Sequence, residues 1–255
     1  MTTHSQPHRA MIELRQPAAV DTAASRQAYD ALYSEHDVTQ HGTALYHWLL
    51  RLVDARPGGR LLDVSCGTGR LLAVARAQEL RAFGVDFSRA ALQQTPQHAP
   101  VFVGDSEQLP IQTGAFDYAI NVGSMEHYED MDRSVREMAR VLKPAGVGCI
   151  LVPNSFGLLW TIWHVKNHGD VPDDGQPLQR FGTLEQWRRL IETNGLIVEA
   201  VHPFEQPRPN GRAEWQALLA HPKVNLTKLV LGRFVPLPLA SMFVFVCRPH
   251  AVSPV

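Results

Sequence analysis

The chain has 255 residues, 45% of them hydrophobic, enough to bury one large core but short for two full domains. Lys and Arg number 24 against 25 Asp and Glu, a formal net charge of -1, so no overall basic field gathers a polyanion and nucleic acid is not the expected partner. The three cysteines, Cys66, Cys149 and Cys247, are odd in number and widely spaced, which suits neither a disulfide framework nor a paired-cysteine zinc site; a reducing, cytoplasmic location is the default expectation.

The opening MTTHSQPHRA lacks the continuous apolar stretch of a secretory signal. Residues 1–20 read as a disordered or loosely packed tail ahead of a single domain over 21–255. From Asp21 to Val53, Tyr29, Leu32, Tyr33, Leu45, Trp48, Leu49 and Leu52 recur at three- and four-residue steps, the pattern of two amphipathic helices, and Arg56-Pro57-Gly58-Gly59 stops them.

From Arg60 short apolar runs alternate with helical stretches, which predicts strand-helix-strand units in a largely parallel α/β sheet. The expected strands are Arg60 to Val64, Arg81 to Val85, Val101 to Val103, Phe116 to Asn121 and Val147 to Val152. Met131, Val135, Met138, Ala139 and Leu142 form one face of a helix ended by Pro144 and Gly146. After a loop-rich stretch, 153–182, Thr183 and Gln186 fit a capping box for a helix over Leu184, Trp187, Leu190 and Ile191, stopped by Gly195. Leu196 to Val201 and Ser241 to Cys247 are expected as the last strands, and the 39 residues between them exceed any hairpin, so an insertion is expected over 203–240. The apolar tract Phe234 to Cys247 is only 14 residues long and carries Pro236 and Pro238, against the roughly 20 needed to span a bilayer; a buried strand is expected, with no stable membrane insertion.

Three segments carry the chemistry. Leu61-Leu62-Asp63-Val64-Ser65-Cys66-Gly67-Thr68-Gly69 is a strand running into a glycine turn and a helix, where glycines admit close backbone approach and expose amides. A phosphate loop would end in Gly-Lys-Ser/Thr, and a dinucleotide fingerprint needs a third glycine where Leu72 stands, so neither reading is met. An acid ahead of the glycines, Asp63, suits a ligand with an ammonium group. In Gly84-Val85-Asp86-Phe87-Ser88 a carboxylate ends the second strand 17 residues after Gly69, placed to accept from both hydroxyls of a ribose; the alternative is that Asp86 caps the next helix, a task Ser88 can also perform. Phe87 either stacks on an adenine face or belongs to the core. In Gly104-Asp105-Ser106-Glu107, Asp105 can accept from an exocyclic amine while Ser106 offers its amide, together reading adenine.

Taken in order, LLDVSCGTG, GVDFS, GDSEQLP, FDYAI and MARVLKPAG resemble the class I S-adenosylmethionine-dependent methyltransferases, particularly the small-molecule branch with quinone and sterol-type members, over roughly Arg60 to Phe204. The resemblance implies a Rossmann-like seven-stranded sheet, mostly parallel with its last strand antiparallel and helices on both faces. It implies S-adenosylmethionine as cofactor, with Asp63 and Gly67 around the methionine end, Asp86 on the ribose, Asp105 and Ser106 at the adenine and Asn121 beside the cofactor. Ser65 departs from the family's usual glycine, and a modest adjustment of the turn is expected.

Because a sulfonium makes its methyl group electrophilic, the protein chiefly has to hold a nucleophile in line with water excluded. His127, in Ser124-Met125-Glu126-His127 after the fourth strand, is the candidate general base, with Glu126 a weaker one; the alternative is that His127 orders its loop by hydrogen bonding. His164 and His168, four apart, could share a helical face, but no third ligand is evident and no metal is expected. The acceptor site is expected under the N-terminal helices (21–56) and two small cap insertions, 153–182 and 203–240, with Tyr33, Trp160, Trp163 and His164 as acceptor-binding residues and further apolar surface from Trp215, Leu218 and Leu219. The expected function is methyl transfer to a small molecule by a monomer or homodimer. Two alternatives remain: an inactive S-adenosylmethionine-binding regulatory module, and a nicotinamide-dependent oxidoreductase that the missing glycine disfavours.

Overall fold

The computed structural model describes residues 11–16, 22–35, 42–95, 100–205 and 229–250, with single positions between 209 and 219. Its centre is a seven-stranded sheet of β2 (Arg60–Val64), β3 (Arg81–Asp86), β4 (Val101–Val103), β5 (Phe116–Val122), β6 (Leu142–Pro153), β8 (Leu196–Phe204) and β9 (Met242–Pro249), ordered β4-β3-β2-β5-β6-β9-β8. The first five run parallel, and β9 lies antiparallel to both β6 and β8. Strand order reverses between β2 and β5, and at such a switch point the carboxyl ends of strands part to leave a ligand crevice.

The two faces of the sheet bury different cores. Leu61 and Leu62, consecutive on β2, point to opposite faces and are both fully buried, one in each core. Leu62 packs with Val135, Met138, Trp187 and Leu190 from α5 (Met131–Val141) and α7 (Leu184–Thr193). Leu61 packs with Leu45, Leu49, Leu72 and Ala75 from α2 (Thr43–Leu52) and α3 (Arg70–Ala77). A short α4 (Arg89–Gln93) follows β3, and α1 (Thr22–Glu35) lies against it.

The expected strands are present, with instructive shifts. Leu142, expected to close the α5 face, opens β6 instead: it pairs with Phe116 before a register shift to Tyr118, so Pro144 and Gly146 sit within an irregular strand. The tract from Phe234 becomes a buried strand only at Met242; Pro236 and Pro238 hold its first half in short 3-10 turns, leaving Phe234 80% exposed. The tail is ordered in part. Ile12–Arg15 forms β1, antiparallel to β7 (Leu178–Phe181), a strand inside the expected loop 153–182. Charge explains why the two pair: Arg180 of β7 is nearly buried and donates to Glu13, while Arg15 forks onto Glu129 at 2.7 and 2.9 Å. Among the described residues, no helix is long and apolar enough to cross a membrane.

The capping box at Thr183 and Gln186 forms as read from the sequence. Behind it Trp187 is fully buried and its indole N–H donates to the Pro153 carbonyl at 2.8 Å, fastening α7 to the end of β6. Trp187→Ala opens a large cavity and removes that hydrogen bond, and should cost about 3–5 kcal/mol in chemical denaturation.

Candidate active site

A cavity of about 310 Å³ lies over the carboxyl ends of β2, β3 and β5, roofed by α1 and walled by the segment between β6 and β7. Its floor is the turn after β2, where Ser65, Gly67 and Gly69 take φ of 60°, 51° and 77°. Gly67 and Gly69 adopt this left-handed backbone freely, whereas Ser65 does so at a cost of roughly 1–2 kcal/mol. The Ser65 hydroxyl offsets that strain through hydrogen bonds with the Tyr128 hydroxyl at 2.6 Å and the Ser106 hydroxyl at 3.1 Å. The departure from glycine is thus built into the site.

Asp86 joins the turns. One carboxylate oxygen accepts from the Gly67 amide at 2.8 Å and the other from the Ser88 amide at 2.9 Å, tying the glycine turn to the start of α4. Ser88 caps α4 itself, accepting from the Ala91 amide and donating to Asp30 of α1. Asp86 therefore remains on the cavity wall with lone pairs to spare, and burial pushes its pKa up to about 6. Phe87 also faces the cavity, 5.2 Å from the Tyr29 ring. Asp105, Ser106 and Glu107 line the adjoining wall; Asp105 holds the Glu107 amide at 2.8 Å.

Four residues expected at the cofactor or acceptor stand elsewhere, and one only underlies the turn. Asp63 is buried on β2 and is not among the residues lining the cavity; burial first, then the charge of Asp86, drives its carboxyl well above the usual range. Gly69 shapes the start of α3 without lining the cavity. The Asn121 side chain is spent internally: it donates to the Val64 carbonyl and the Tyr128 hydroxyl and accepts from the Met125 amide. Trp163 and His164 lie on α6 (Trp163–His168), which buries none of its residues; Trp163 is 45% exposed and His164 stacks on His168 at 4.3 Å. Tyr33 and Trp160 do line the cavity, as do Ser25 and Tyr29 of α1. No described residue of 203–240 reaches it; Leu218 and part of that insertion lie outside the described residues.

Of the remaining wall, His127 and Glu126 were read from the sequence, while Tyr128, Met242 and the residues from Asp174 to Gln179 were not. Tyr128 is a hub, its hydroxyl bonded to Ser65 and Asn121, and burial drives its pKa up. His127 is buried, with Nδ1 2.5 Å from the Leu178 carbonyl. A carbonyl only accepts, so Nδ1 carries the proton and Nε2 is left as the basic nitrogen. Burial lowers the pKa of His127, keeping it neutral. Glu126 beside it is also buried, its Oε1 3.9 Å from His127 Nε2, and burial lifts its pKa to about 8. Asp174, Gln176, Pro177 and Gln179 of the stretch leading into β7 complete the enclosure with Met242. Local motif patterns carry no sign of Gln179, whose position depends on the β1–β7 pairing.

A doubly wound α/β sheet with a glycine turn, a buried acid ending β3 and a cavity at the switch point is the architecture of proteins that bind a nucleoside-type cofactor. A family model described as "Methyltransferase domain" matches residues 62–150. An uncharacterized protein of Methanocaldococcus jannaschii is 31% identical over 185 residues, 71% of each chain. The chloroplastic 2-methyl-6-phytyl-1,4-hydroquinone methyltransferase of Arabidopsis thaliana is 28% identical over 221 residues, 76% of this chain and 64% of that one. Geranyl diphosphate C-methyltransferase of Streptomyces coelicolor A3(2), solved with S-adenosyl-L-homocysteine, shares the fold at TM-score 0.58 and 16% identity, over 82% of this chain and 76% of its own. The chain belongs to the class I S-adenosylmethionine-dependent methyltransferases, and S-adenosylmethionine is its cofactor. The site fits that group: Asp86 retains lone pairs on the cavity wall beside a glycine turn whose backbone admits close approach.

The raised pKa of Glu126 makes a signed prediction. Its carboxyl ionises at about 8 when folded against a reference of 4.5, so the unfolded chain gives up the proton first and stability is lost as pH rises between these values. Glu126→Gln keeps the shape and removes the titration. The melting temperature of the ligand-free variant should therefore rise relative to wild type from pH 5 to pH 8, by thermal denaturation; a constant difference would show that Glu126 is not held neutral.

Proposed function

We propose that this protein methylates a small-molecule acceptor held between α1 and the 153–182 segment, with His127 as the general base. The observation that carries the reading is the His127 ring: Nδ1 is committed to the Leu178 carbonyl, and Nε2 remains the basic nitrogen in the cavity wall. S-adenosylmethionine, when bound, supplies a methyl group made electrophilic by its sulfonium. Asp86, Asp105 and Ser106 would hold its nucleoside part, by the carboxylate and amide chemistry of their turns.

The chain's own contribution is positioning, desolvation and proton removal. Tyr29, Tyr33 and Trp160 enclose the space opposite the glycine turn, which excludes water and holds an acceptor near His127. His127 begins neutral because burial disfavours its cation, and so can take a proton from an acceptor hydroxyl or nitrogen. The small size of the cavity, and the lack of Lys or Arg among its described lining residues, support a small molecule over a nucleic acid.

His127→Ala should lower kcat by about 100-fold or more, with affinity for S-adenosylhomocysteine nearly unchanged by calorimetry. In the wild type, kcat should fall on acidification with a midpoint below the ordinary histidine value of about 6.5. Cofactor affinity lost in proportion to kcat would reduce His127 to ordering its loop.

A further inference from the structure

Three buried polar atoms have no hydrogen-bond partner among the described residues: Tyr29 Oη, Glu126 Oε2 and Gln179 Oε1. Their residues are 8%, 4% and 3% exposed, and all three line the cavity. They arrive from separate parts of the chain, α1, the turn after β5, and β7. A buried polar atom left unpaired costs about 1–3 kcal/mol, so the fold retains a deficit here that a bound molecule can relieve. Gln179 Oε1 only accepts, and the carboxyl and phenol oxygens can accept as well, so a donor is the one kind of partner that all three can share.

Charge points the same way. No Lys or Arg lines the cavity among the described residues, while six carboxylates do. Five of them are engaged: Asp86 and Asp105 hold backbone amides, Glu107 accepts from the Asp130 amide, Glu129 is paired with Arg15, and Asp174 accepts from the Gln176 amide and side chain. Asp174, at the exposed rim, carries its charge into the field of Tyr29, Glu126 and His127. Arg180, the cation whose charge acts on His127, is tied to Glu13 and the Tyr128 carbonyl. Around this acidic end stand the aromatic faces of Tyr29, Tyr33 and Trp160, surfaces that attract cations.

We propose that the acceptor is an amine, its nitrogen held by Glu126, Gln179 and Tyr29 and its aromatic or apolar body against Trp160 and Tyr33. This assignment rests on the reading of the cavity as the methyl-acceptor site. An ammonium or amine offers N–H donors to each orphaned oxygen, whereas a carboxylate or phosphate brings only acceptors to a wall already made of them. Burial keeps Glu126 protonated in the empty cavity, and an incoming ammonium supplies the countercharge that lets it ionise.

The test is calorimetric titration, in EDTA, of protein saturated with S-adenosylhomocysteine, using two matched probe sets. One is 2-phenylethylamine, 2-phenylethanol and 3-phenylpropanoate; the other is tryptamine, indole-3-ethanol and indole-3-propionate. The amine should bind at least about tenfold tighter than its alcohol in one set or both, with no detectable carboxylate binding. In Glu126→Gln and Gln179→Leu that advantage should fall below about threefold, with melting curves confirming the fold. Equal binding of amine and alcohol, tighter binding of the carboxylate, no amine binding in either set, or a preference that appears only when magnesium replaces EDTA would each overturn the amine assignment. Failure of S-adenosylhomocysteine itself to bind would instead overturn the methyl-transfer reading on which it rests.

Discussion

The Asp86 carboxylate is the constraint on which the site depends. Buried at the end of β3, it accepts the Gly67 amide with one oxygen and the Ser88 amide with the other, holding the glycine turn and the start of α4 in fixed relation. Asp30 of α1 then meets Ser88 and the Ala90 amide, so the roof of the cavity is registered to the same point. Removing such a charge from water is expensive, and the pKa of about 6 records the expense. What offsets it is a set of donors aimed at the carboxylate, with lone pairs left for a ligand.

A second, uncharged network holds the opposite wall. Tyr128 links the Ser65 turn to Asn121 on β5, and Asn121 in turn fixes the Met125 amide at the start of the turn bearing Glu126 and His127. The His127 ring thus gains its orientation from two directions: the backbone before it is set by Asn121, and its own Nδ1 is set by Leu178 of β7. β7 is in turn secured by β1, whose Glu13 and Arg15 neutralise Arg180 and Glu129. A strand near the amino terminus therefore governs both the geometry and the charge of the cavity.

These dependencies explain what the sequence disclosed and what it concealed. Strands β2 to β5 and the Asp86 position were legible because their determinants are local: an apolar run, a turn, and an acid at a fixed offset. The capping box of α7 was legible for the same reason. Asp63 and Asn121 were given cofactor roles because they stand near the motif in sequence, but burial and internal hydrogen bonding decide contact: Asp63 is buried on β2, and the Asn121 amide is committed to Val64, Tyr128 and Met125. Trp163 and His164 failed likewise, since the backbone turn at 158–162 presents Trp160 to the cavity and leaves α6 outside. The β1–β7 pairing joins residues more than 160 positions apart through ion pairs, and no periodicity announces it.

We propose that Asp86 is the acceptor for the cofactor's ribose. The most direct measurement is calorimetric binding of S-adenosylhomocysteine to wild type and to Asp86→Asn, at neutral pH where the carboxylate is ionised, with circular dichroism to verify the fold. The variant removes the charge and half of the accepting capacity while keeping the shape. The account predicts an intact fold and an affinity reduced about tenfold or more, the loss expected for charge-assisted hydrogen bonds of roughly 1.5–3 kcal/mol. A folded variant that binds S-adenosylhomocysteine as tightly as wild type would contradict it.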